Sequence, residues 1–210
     1  MPNKRPCMNE EMLDLDFMVN SKGRVFSKYV KYAYHTIYLS ENIVEAGEYH
    51  EEFQLLADAQ QGEVVEIVLN NFGGSLETAV QFYERIRNSE AKVIASIEGV
   101  CHSAASVIAL ACDEWKVSPF ASMLVHNASY AIGGAAHEVE SHVEHSKNHL
   151  DFCIKKIYSH FLTGAEIKKV IKGLQKYLSA NEVIERLEKY AYHRAKSEAT
   201  ETVSEAISED

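Results

Sequence analysis

The chain has 210 residues, of which 46% are hydrophobic, enough for one domain with a full core. Its formal net charge of −10 argues against nucleic acid and anionic membranes as partners, because phosphate binding depends on Lys and Arg. The four cysteines form no CxxC pair, and no apolar run approaches the roughly 18 residues of a membrane span. Since the N-terminal residues also contain no apolar core region, we expect no signal peptide and a reduced, cytoplasmic chain.

Residues 1–34 mix charged and aromatic residues without a clear period, and we predict an N-terminal arm there. From residue 35 the pattern becomes regular. Predicted strands cover 35–40, 64–69, 92–98, 114–118 and 122–126, and predicted helices cover 48–61, 75–88 and 103–112. Ser75 is the predicted N-cap of the second helix. Strands that alternate with helices predict an α/β domain with parallel crossovers over residues 35–194.

A long helix is predicted over residues 135–162, where apolar residues recur every three, four or seven positions. This apolar stripe consists of Val139, Val143, Leu150, Ile154, Ile157 and Phe161. A helix that projects this far past a compact core usually buries its stripe against another subunit. The acidic tail at 195–210 has few large apolar residues and is predicted to be disordered.

Three histidines, His142, His145 and His149, fall close together beside this stripe. The simplest interpretation is a solvated flank that tolerates histidine. A metal site completed by Glu138 or Glu144, or a pH-dependent subunit contact, remains an alternative.

The segment GVCHSAAS (99–106) places Ser103 where a predicted strand gives way to a predicted helix. The Ala104 N–H would then lie at the positive end of that helix, where an oxyanion is stabilised. Taken alone, Ser103 fits the N-cap of a buried helix better than a nucleophile. Ser106 lies one turn further on and is predicted to pack in the core. The spacing is not the GxSxG of α/β-hydrolases.

Two further segments supply candidates for the same site. Gly73 and Gly74 end a predicted strand, where a flexible backbone can offer N–H groups to an anion or line a peptide. His126 ends an apolar strand and is a candidate general base, although a histidine in such a place is more often structural. His102 is a poorer candidate, because side chains of adjacent residues diverge at such a turn.

The order of these motifs resembles the Clp protease proteolytic subunit (ClpP) family, and most closely its relatives in tailed phages, including head maturation proteases. The resemblance covers residues 35–182, about 70% of the chain, and includes the separation of 29 residues between Gly74 and Ser103. It implies an α/β ClpP/crotonase-like fold, a superhelix of repeated β-β-α units. The helix at 135–162 would protrude from it as a handle through which two rings dock.

The resemblance also implies roles for individual residues. Ser103 would be the nucleophile and His126 the base, with N–H groups of Gly74 and Ala104 forming the oxyanion hole. The substrate backbone would be bound by Gly73, Ile132, Gly133 and Gly134. No metal and no organic cofactor is implied. The implied partners are a peptide or unfolded protein as substrate, further copies of the chain in a ring or stacked rings, and an AAA+ unfoldase or phage structural proteins.

The sequence departs from this family at the third catalytic position, where an acid precedes the pattern x-[FW]-[FL]-[ST]-A. In QKYLSA (175–180) that place is held by Gln175. Its amide oxygen can accept a hydrogen bond from His126 Nδ1 but supplies no negative charge. Amide-for-acid exchange costs about 10⁴-fold in kcat in a serine protease triad. Glu182 is a second candidate for the acid. Residues 182–196 look helical where the family has a Gly-Leu turn.

A serine endopeptidase is therefore the predicted function, and two alternatives stay open. A catalytically impaired homologue would serve as a structural or regulatory ring component, with Gln175 as the mark of lost activity. An acyl-CoA enzyme of the crotonase type shares the paired oxyanion N–H groups. Such enzymes usually place carboxylates near the second oxyanion loop, and GVCHSAAS contains none.

Overall fold

The computed structural model describes residues 32–208, with side chains to residue 197, and two short strands before them. These strands, β1 (Met18–Val19) and β2 (Phe26–Ser27), pair antiparallel within the predicted N-terminal arm. The remainder of that arm up to residue 31 lies outside the described residues. A separate compact unit begins at Ala33.

The unit that begins at Ala33 is built on one six-stranded sheet. Its strands are β3 (Tyr34–Leu39), β4 (Val64–Asn71), β5 (Lys92–His102), β6 (Glu114–Val117), β7 (Ser122–Val125) and β8 (Lys176–Ser179). The order is β3-β4-β5-β7-β8, and β6 also pairs with β5. All pairs are parallel except β7 with β8. The predicted α/β fold with parallel crossovers is confirmed.

The long strand β5 has two different neighbours along its length. Its first half pairs with β6 through Ile94–Ile97, and its last residues, Val100–His102, pair with β7. The carboxyl ends of β5 and β7 therefore lie side by side. This arrangement brings the residues that follow the two strands to the same edge of the sheet.

Six helices complete the unit: α1 (His50–Asp58), α2 (Leu76–Arg87), α3 (Ala104–Ala111), α4 (Ala136–Ile157), α5 (Gly164–Ile171) and α6 (Ala180–Ser208). A 3-10 turn, Ala46–Tyr49, precedes α1. Ser75 Oγ accepts a hydrogen bond from Thr78 N at 3.2 Å, which confirms the predicted N-cap of α2. No helix in the described part of the chain combines the length and apolar character needed to cross a membrane.

The hydrophobic core centres on β4, β5 and α3. All eight residues of α3 are buried, as expected for a helix with almost no polar side chain. Val65, Ile67 and Leu69 of β4 are fully buried beneath it, and Phe82 of α2 joins the same cluster. At about 25 cal/mol per Å² of apolar area, this burial is the main stabilising term of the fold.

The long helix is shorter than predicted. α4 ends at Ile157, and the positive φ of 66° at His160 shows that the chain reverses there. Phe161 therefore leaves the predicted stripe but stays buried in the core. Ile154 and Ile157 are buried as well, whereas Val143 is 38% exposed. The first half of the stripe is thus only partly covered by the described residues, since Val139 is partly buried and Val143 is exposed.

The last helix differs from the composition-based prediction of a disordered tail. α6 begins at Ala180 and continues through residues 195–208. Ala and Glu, which are frequent there, are good helix formers. The prediction of a disordered tail was based on the lack of large apolar residues and did not consider the helix propensity of Ala and Glu.

An ion-pair network joins α5, β8 and α6. The Arg186 guanidinium donates to both carboxylate oxygens of Glu166, at 3.0 and 2.8 Å, and Lys176 Nζ lies 3.4 Å from the same carboxylate. The Arg186 hydrogen bonds lower the pKa of Glu166 to about 2, with help from Thr163. Helix α5 was not predicted, although TGAE (163–166) is a capping-box sequence that could have revealed it.

Candidate active site

Ser103 occupies a strained turn between β5 and α3. Its φ of 54° and ψ of −123° lie in a region that non-glycine residues rarely adopt. The backbone is fixed on both sides: Ser103 N donates to Leu124 O at 2.8 Å, and its carbonyl accepts from Ser106 N at 2.9 Å and Ser106 Oγ at 2.7 Å. The Ser103 side chain makes no capping bond to α3. The N-cap interpretation therefore does not describe what this hydroxyl does.

A cleft of about 720 Å³ opens beside this turn. One side is formed by the Ser103 turn and the Gly-Gly loop, and the other by α4. Five of the predicted site residues line it: Gly74, Ser103, Ala104, His126 and Ile132. Its apolar floor includes Val107, Ile154 and Ile157.

His126 reaches the cleft because it follows β7. The register pairs His102 of β5 with Leu124 of β7. Ser103 directly follows His102 and His126 lies two residues after Leu124, so both lie at the same edge of the sheet. The side chain is half-buried. In the described structure no hydrogen bond joins it to Ser103 Oγ. The two side chains line one cleft but are not hydrogen-bonded to each other in the described structure.

Two backbone amides at this end of the cleft have no acceptor among the described residues. Ala104 is the first residue of α3, so its N–H has no partner within the helix. In the Gly-Gly loop, Gly73 O accepts from Ile43 N and Ser75 N donates to Ile43 O, at 2.9 and 2.8 Å. This pairing leaves the Gly74 N–H unused.

Steric constraints make both glycines of this loop necessary. A Cβ on Gly73 would lie 2.8 Å from Ser103 Cβ and 3.1 Å from Ala104 N, so the loop packs directly on the Ser103 turn. A Cβ on Gly74 would lie 2.0 Å from Ile43 O. Both residues also have positive φ, 102° and 150°. No side chain fits at either position.

Asn71 holds this loop in place and was missed by the sequence analysis. It is 1% exposed. Its Nδ2 donates to Leu39 O at 3.3 Å and also to Glu41 O, while its Oδ1 accepts from Gly73 N at 2.7 Å. One side chain thus ties the Gly-Gly loop to the chain that follows β3. The signal was an amide side chain at the end of an apolar strand, two residues before the first glycine.

The third predicted catalytic residue lies near His126 but is not bonded to it. β8 pairs Lys176 with Val125 of β7, and one further step of that register would set Gln175 opposite His126. Gln175 is nevertheless exposed and does not line the cleft. Within the described residues, no hydrogen bond connects the two side chains.

Glu182, the second candidate for the third catalytic residue, forms its hydrogen bonds elsewhere. Its carboxylate accepts from both Ser179 N and Ser179 Oγ at 2.9 Å, at the start of α6. The backbone hydrogen bond from Ser179 is the main reason that its pKa is lowered. Glu182 does not line the cleft.

The segment predicted to bind substrate backbone is an exposed loop. Residues 131–134 form no strand with any described neighbour. Ile132 is 37% exposed and lines the cleft, whereas Gly133 and Gly134 do not. Gly73 likewise lies outside the cleft lining, although it packs on the Ser103 turn.

His102 faces a different surface from the cleft. Its Nε2 lies 3.2 Å from Ser122 Oγ, and its ring meets Phe72 and Tyr177 edge-on, with centroids 5.8 and 6.0 Å apart. Burial lowers its pKa, and the charge of His126 adds to that effect. His102 is therefore a neighbour of the candidate base and not a member of the cleft.

Comparison with known proteins identifies the family. The sequence matches the Clp protease family over residues 19–186, four fifths of the chain. Among curated proteins, none matches the chain. The matched range contains both sides of the cleft, Asn71 and Gln175. The chain therefore belongs to the Clp protease family, whose members are typically ClpP-like peptidases that form oligomers.

Proposed function

We propose that the chain is a serine endopeptidase in which Ser103 is the nucleophile and His126 the general base. The observation that carries this proposal is the backbone of Ser103, held at a φ of 54° with a hydroxyl that caps nothing. Strain of this kind costs about 1–3 kcal/mol and persists where the surroundings enforce it, most often at functional sites. A strained strand-to-helix turn also carries the serine nucleophile of α/β-hydrolases, although their GxSxG spacing is absent here.

The mechanism uses only groups that line or border the cleft. Ser103 Oγ attacks the carbonyl carbon of a peptide bond as His126 takes its proton. The N–H groups of Gly74 and Ala104 donate to the oxyanion that forms, and His126 passes the proton to the leaving amine. Water, deprotonated by His126, then releases the acyl group from Ser103. The substrate would lie extended beside the loop at 131–134 and Gly73.

In this proposal Gln175 has an orienting role. Its Oε1 would accept a hydrogen bond from His126 Nδ1–H once a small rearrangement closes the gap between the two side chains. Cysteine proteases use an amide in the same role. Without a negative charge beside it, the imidazolium is less stabilised, so we expect slow turnover.

A second candidate function is a ring component without catalytic activity. Two observations favour it: the amide at position 175, and the absence of a hydrogen bond from Gln175 to His126 among the described residues. The same fold and assembly would then serve a structural or regulatory role. The two candidates differ in whether Ser103 reacts with an electrophile.

We further propose that the chain assembles into a ring or stacked rings through α4 as the handle. Val143 is 38% exposed, and Phe152, also on α4, is 63% exposed. Apolar side chains at these positions would be covered by a second copy. In the cytoplasm, an AAA+ unfoldase or phage structural proteins would be the partners of such a ring. Val143→Glu should then reduce the mass measured by light scattering to that of a smaller assembly.

Labelling with a fluorophosphonate tests the serine chemistry directly. We expect wild type to be labelled and Ser103→Ala to remain unlabelled. Ser129→Ala is the matched control, because Ser129 lines the same cleft and should label as wild type. Equal and weak labelling of wild type and Ser103→Ala would exclude the peptidase and favour the inactive ring component.

Substitution at position 175 sharpens the same test. Gln175→Asp should raise kcat, because a carboxylate stabilises the imidazolium, whereas Gln175→Ala should lower it. Equal rates for both variants and wild type would mean that this position plays no part in the reaction.

A further inference from the structure

Three histidines of α4 line the cleft across from Ser103. We call His142, His145 and His149 the histidine wall. They lie on one side of the helix, and the rings of His145 and His149 are nearly parallel, with an interplanar angle of 4° and centroids 6.4 Å apart. His149 Nε2 also lies 3.6 Å from Cys153 Sγ, one turn further along. The His142 and His145 rings make no hydrogen bond within the described structure.

Charged residues are distributed unevenly around this wall. The chain as a whole carries a net charge of −10. Among the described residues that line the cleft, however, Glu77 of α2 is the single carboxylate, and there is no Lys or Arg. Helical spacing puts four other charged residues of α4 on the opposite side: Glu140, Glu144, Lys147 and Asp151. Lys156 shares this side near the end of α4 but does not line the cleft, so histidine is the principal titratable side chain that this face of α4 presents to a ligand there.

The remaining titratable groups around the wall have partners or lie apart from it. Glu138 shares its side of α4 but accepts from Ala135 N at the start of the helix, at 3.3 Å. The Tyr130 hydroxyl reaches Val143 O, at 3.5 Å, and the buried Tyr158 hydroxyl lies 2.7 Å from Ser106 Oγ. Burial raises the pKa of the Cys153 thiol, with a further contribution from Glu77. His126 is the one imidazole on the opposite side of the cleft within the described lining.

We propose that the histidine wall binds carboxylate side chains of the substrate, so that acidic peptides are the preferred substrate class. The inference rests on the proposed peptidase function and deepens it. An imidazolium offers two N–H donors and a positive charge to a carboxylate, and a neutral imidazole still offers one donor. The apolar floor near Ser103 would bind an apolar side chain of the substrate, and the histidine wall would bind acidic side chains further along the same peptide.

The length of α4 determines which acidic residues of a substrate peptide can reach the histidine wall. The hydrogen bond between Tyr158 and Ser106 ties the end of α4 to the first turn after Ser103. From that end, His149 lies about 12 Å and His142 about 22 Å along the helix, at 1.5 Å per residue. An extended peptide advances about 3.3 Å per residue. For a peptide that runs along α4, the wall would therefore contact side chains about four to seven residues from the bond that is cleaved.

Binding to such a wall depends on pH in a definite direction. Imidazole gains its charge as the pH falls from 8 to 5. The affinity for a carboxylate should therefore rise over this interval, whereas the affinity for an uncharged isostere should not. Catalysis has the opposite dependence, because His126 must be neutral to act as a base. Binding has to be measured separately from turnover for this reason.

The experiment uses Ser103→Ala protein, which cannot turn over substrate, and a pair of fluorescent peptides. The two peptides have a central leucine and the same sequence, except at the fourth to seventh residues counted from that leucine. One peptide carries Glu at these four positions and the other carries Gln. Their Kd values are measured by fluorescence anisotropy at pH 5.5 and pH 8, with EDTA present to remove metal ions. We expect the Glu peptide to bind about tenfold more tightly at pH 5.5, and the ratio to fall towards one at pH 8.

Variants assign the effect to the wall. In a triple variant with His142→Gln, His145→Gln and His149→Gln, the ratio at pH 5.5 should fall to about one. The matched control is His137→Gln, which removes an exposed histidine of the same helix that does not line the cleft, and it should keep the full ratio. The single change His149→Gln should give an intermediate ratio if the triple variant proves unstable.

The outcomes separate this inference from the proposed function. A ratio of one at both pH values, or a ratio unchanged in the triple variant or in His149→Gln, would overturn the inference. Fluorophosphonate labelling of wild type reports independently on Ser103. Labelling together with a ratio of one would support the peptidase and reject the acidic substrates. A tenfold ratio without labelling would support carboxylate binding and reject the nucleophile.

Discussion

The two sides of the cleft are built in opposite ways. We call one side the β5–α3 wall, made of Gly74, Ser103, Ala104 and the His126 that follows β7. There the backbone is strained, packed against α3 and fixed by hydrogen bonds from neighbouring strands. The histidine wall on α4 is exposed and carries its functional groups on side chains instead of the backbone.

This difference fits the tasks that we propose for each side. Groups that stabilise a transition state must be held in position before the reaction, because reorganisation during it is costly. Backbone amides fixed by a buried helix and a Gly-Gly loop meet that requirement. Recognition of a charged side chain several residues away tolerates movement, so an exposed helix is sufficient for it. Substitutions should therefore affect the two walls very differently.

The largest effect is expected at Gly74. In Gly74→Ala, the new Cβ would meet Ile43 O, and a φ of 150° is unfavourable for alanine. We expect a loss of about 3 kcal/mol in the free energy of unfolding and no measurable peptidase activity. Chemical denaturation measures the first and a fluorogenic peptide the second. Gly133→Ala is the matched control, since nothing lies within 4 Å of its Cβ. Equal stabilities for the two variants would contradict this account of the loop.

Asn71 should come next. Asn71→Ala removes the side chain that links Gly73 N to the carbonyls of Leu39, at the end of β3, and of Glu41, and leaves these groups without that partner. We expect a loss of about 2 kcal/mol and a decrease in kcat of at least about tenfold, larger than any rise in KM, since the loop positions the Gly74 amide and supplies only Gly73 to the proposed substrate contacts. A rise in KM with kcat unchanged would show instead that Asn71 acts on substrate binding.

Low pH should weaken the ion pairs of Glu166, which involve Arg186 and also Lys176, the residue after Gln175. Because the folded pKa of Glu166 is about 2, below its usual 4.5, its contribution to stability is full above pH 4.5 and is lost as the pH falls towards 2. Wild type should therefore lose more stability over this interval than Glu166→Gln, as measured by urea unfolding at each pH. Parallel pH profiles for the two proteins would mean that the contact with Arg186 does not stabilise the fold.

Strain at Ser103 predicts a small gain in stability. Glycine adopts a φ of 54° and ψ of −123° without the steric cost that any other residue has. Ser103→Gly should thus be more stable than Ser103→Ala by about 1 kcal/mol, while both lack activity. Thermal unfolding compares them directly. If the alanine variant were the more stable, the turn would not be strained.

The smallest effect is expected on the histidine wall. His145→Gln replaces an exposed side chain with a polar one of good helix propensity. Its free energy of unfolding should stay within about 0.5 kcal/mol of wild type. A loss of several kcal/mol would show that this side chain is buried in the assembled protein, and the comparison between the two walls would then fail.

Local patterns in the sequence were sufficient for most of the strands and helices and for the strand-to-helix turn at Ser103. Apolar runs predicted the buried strands, and Ser75 predicted the start of α2, because these signals depend on neighbouring residues only. The motif GVCHSAAS and the Gly-Gly pair located the β5–α3 wall for the same reason. The long helix was predicted to end at residue 162 but ends at Ile157. The spacing of apolar residues continues past the turn at His160 and therefore did not indicate it.

Tertiary structure decided everything that depends on residues far apart in the chain. Asn71 acts through carbonyls about 30 residues earlier, and no local pattern reports such a bond. The histidine row had a solvated flank as its simplest interpretation, because a helical period shows which side chains share a face but not what lies opposite. Only the fold brings that face of α4 to the cleft that Ser103 lines.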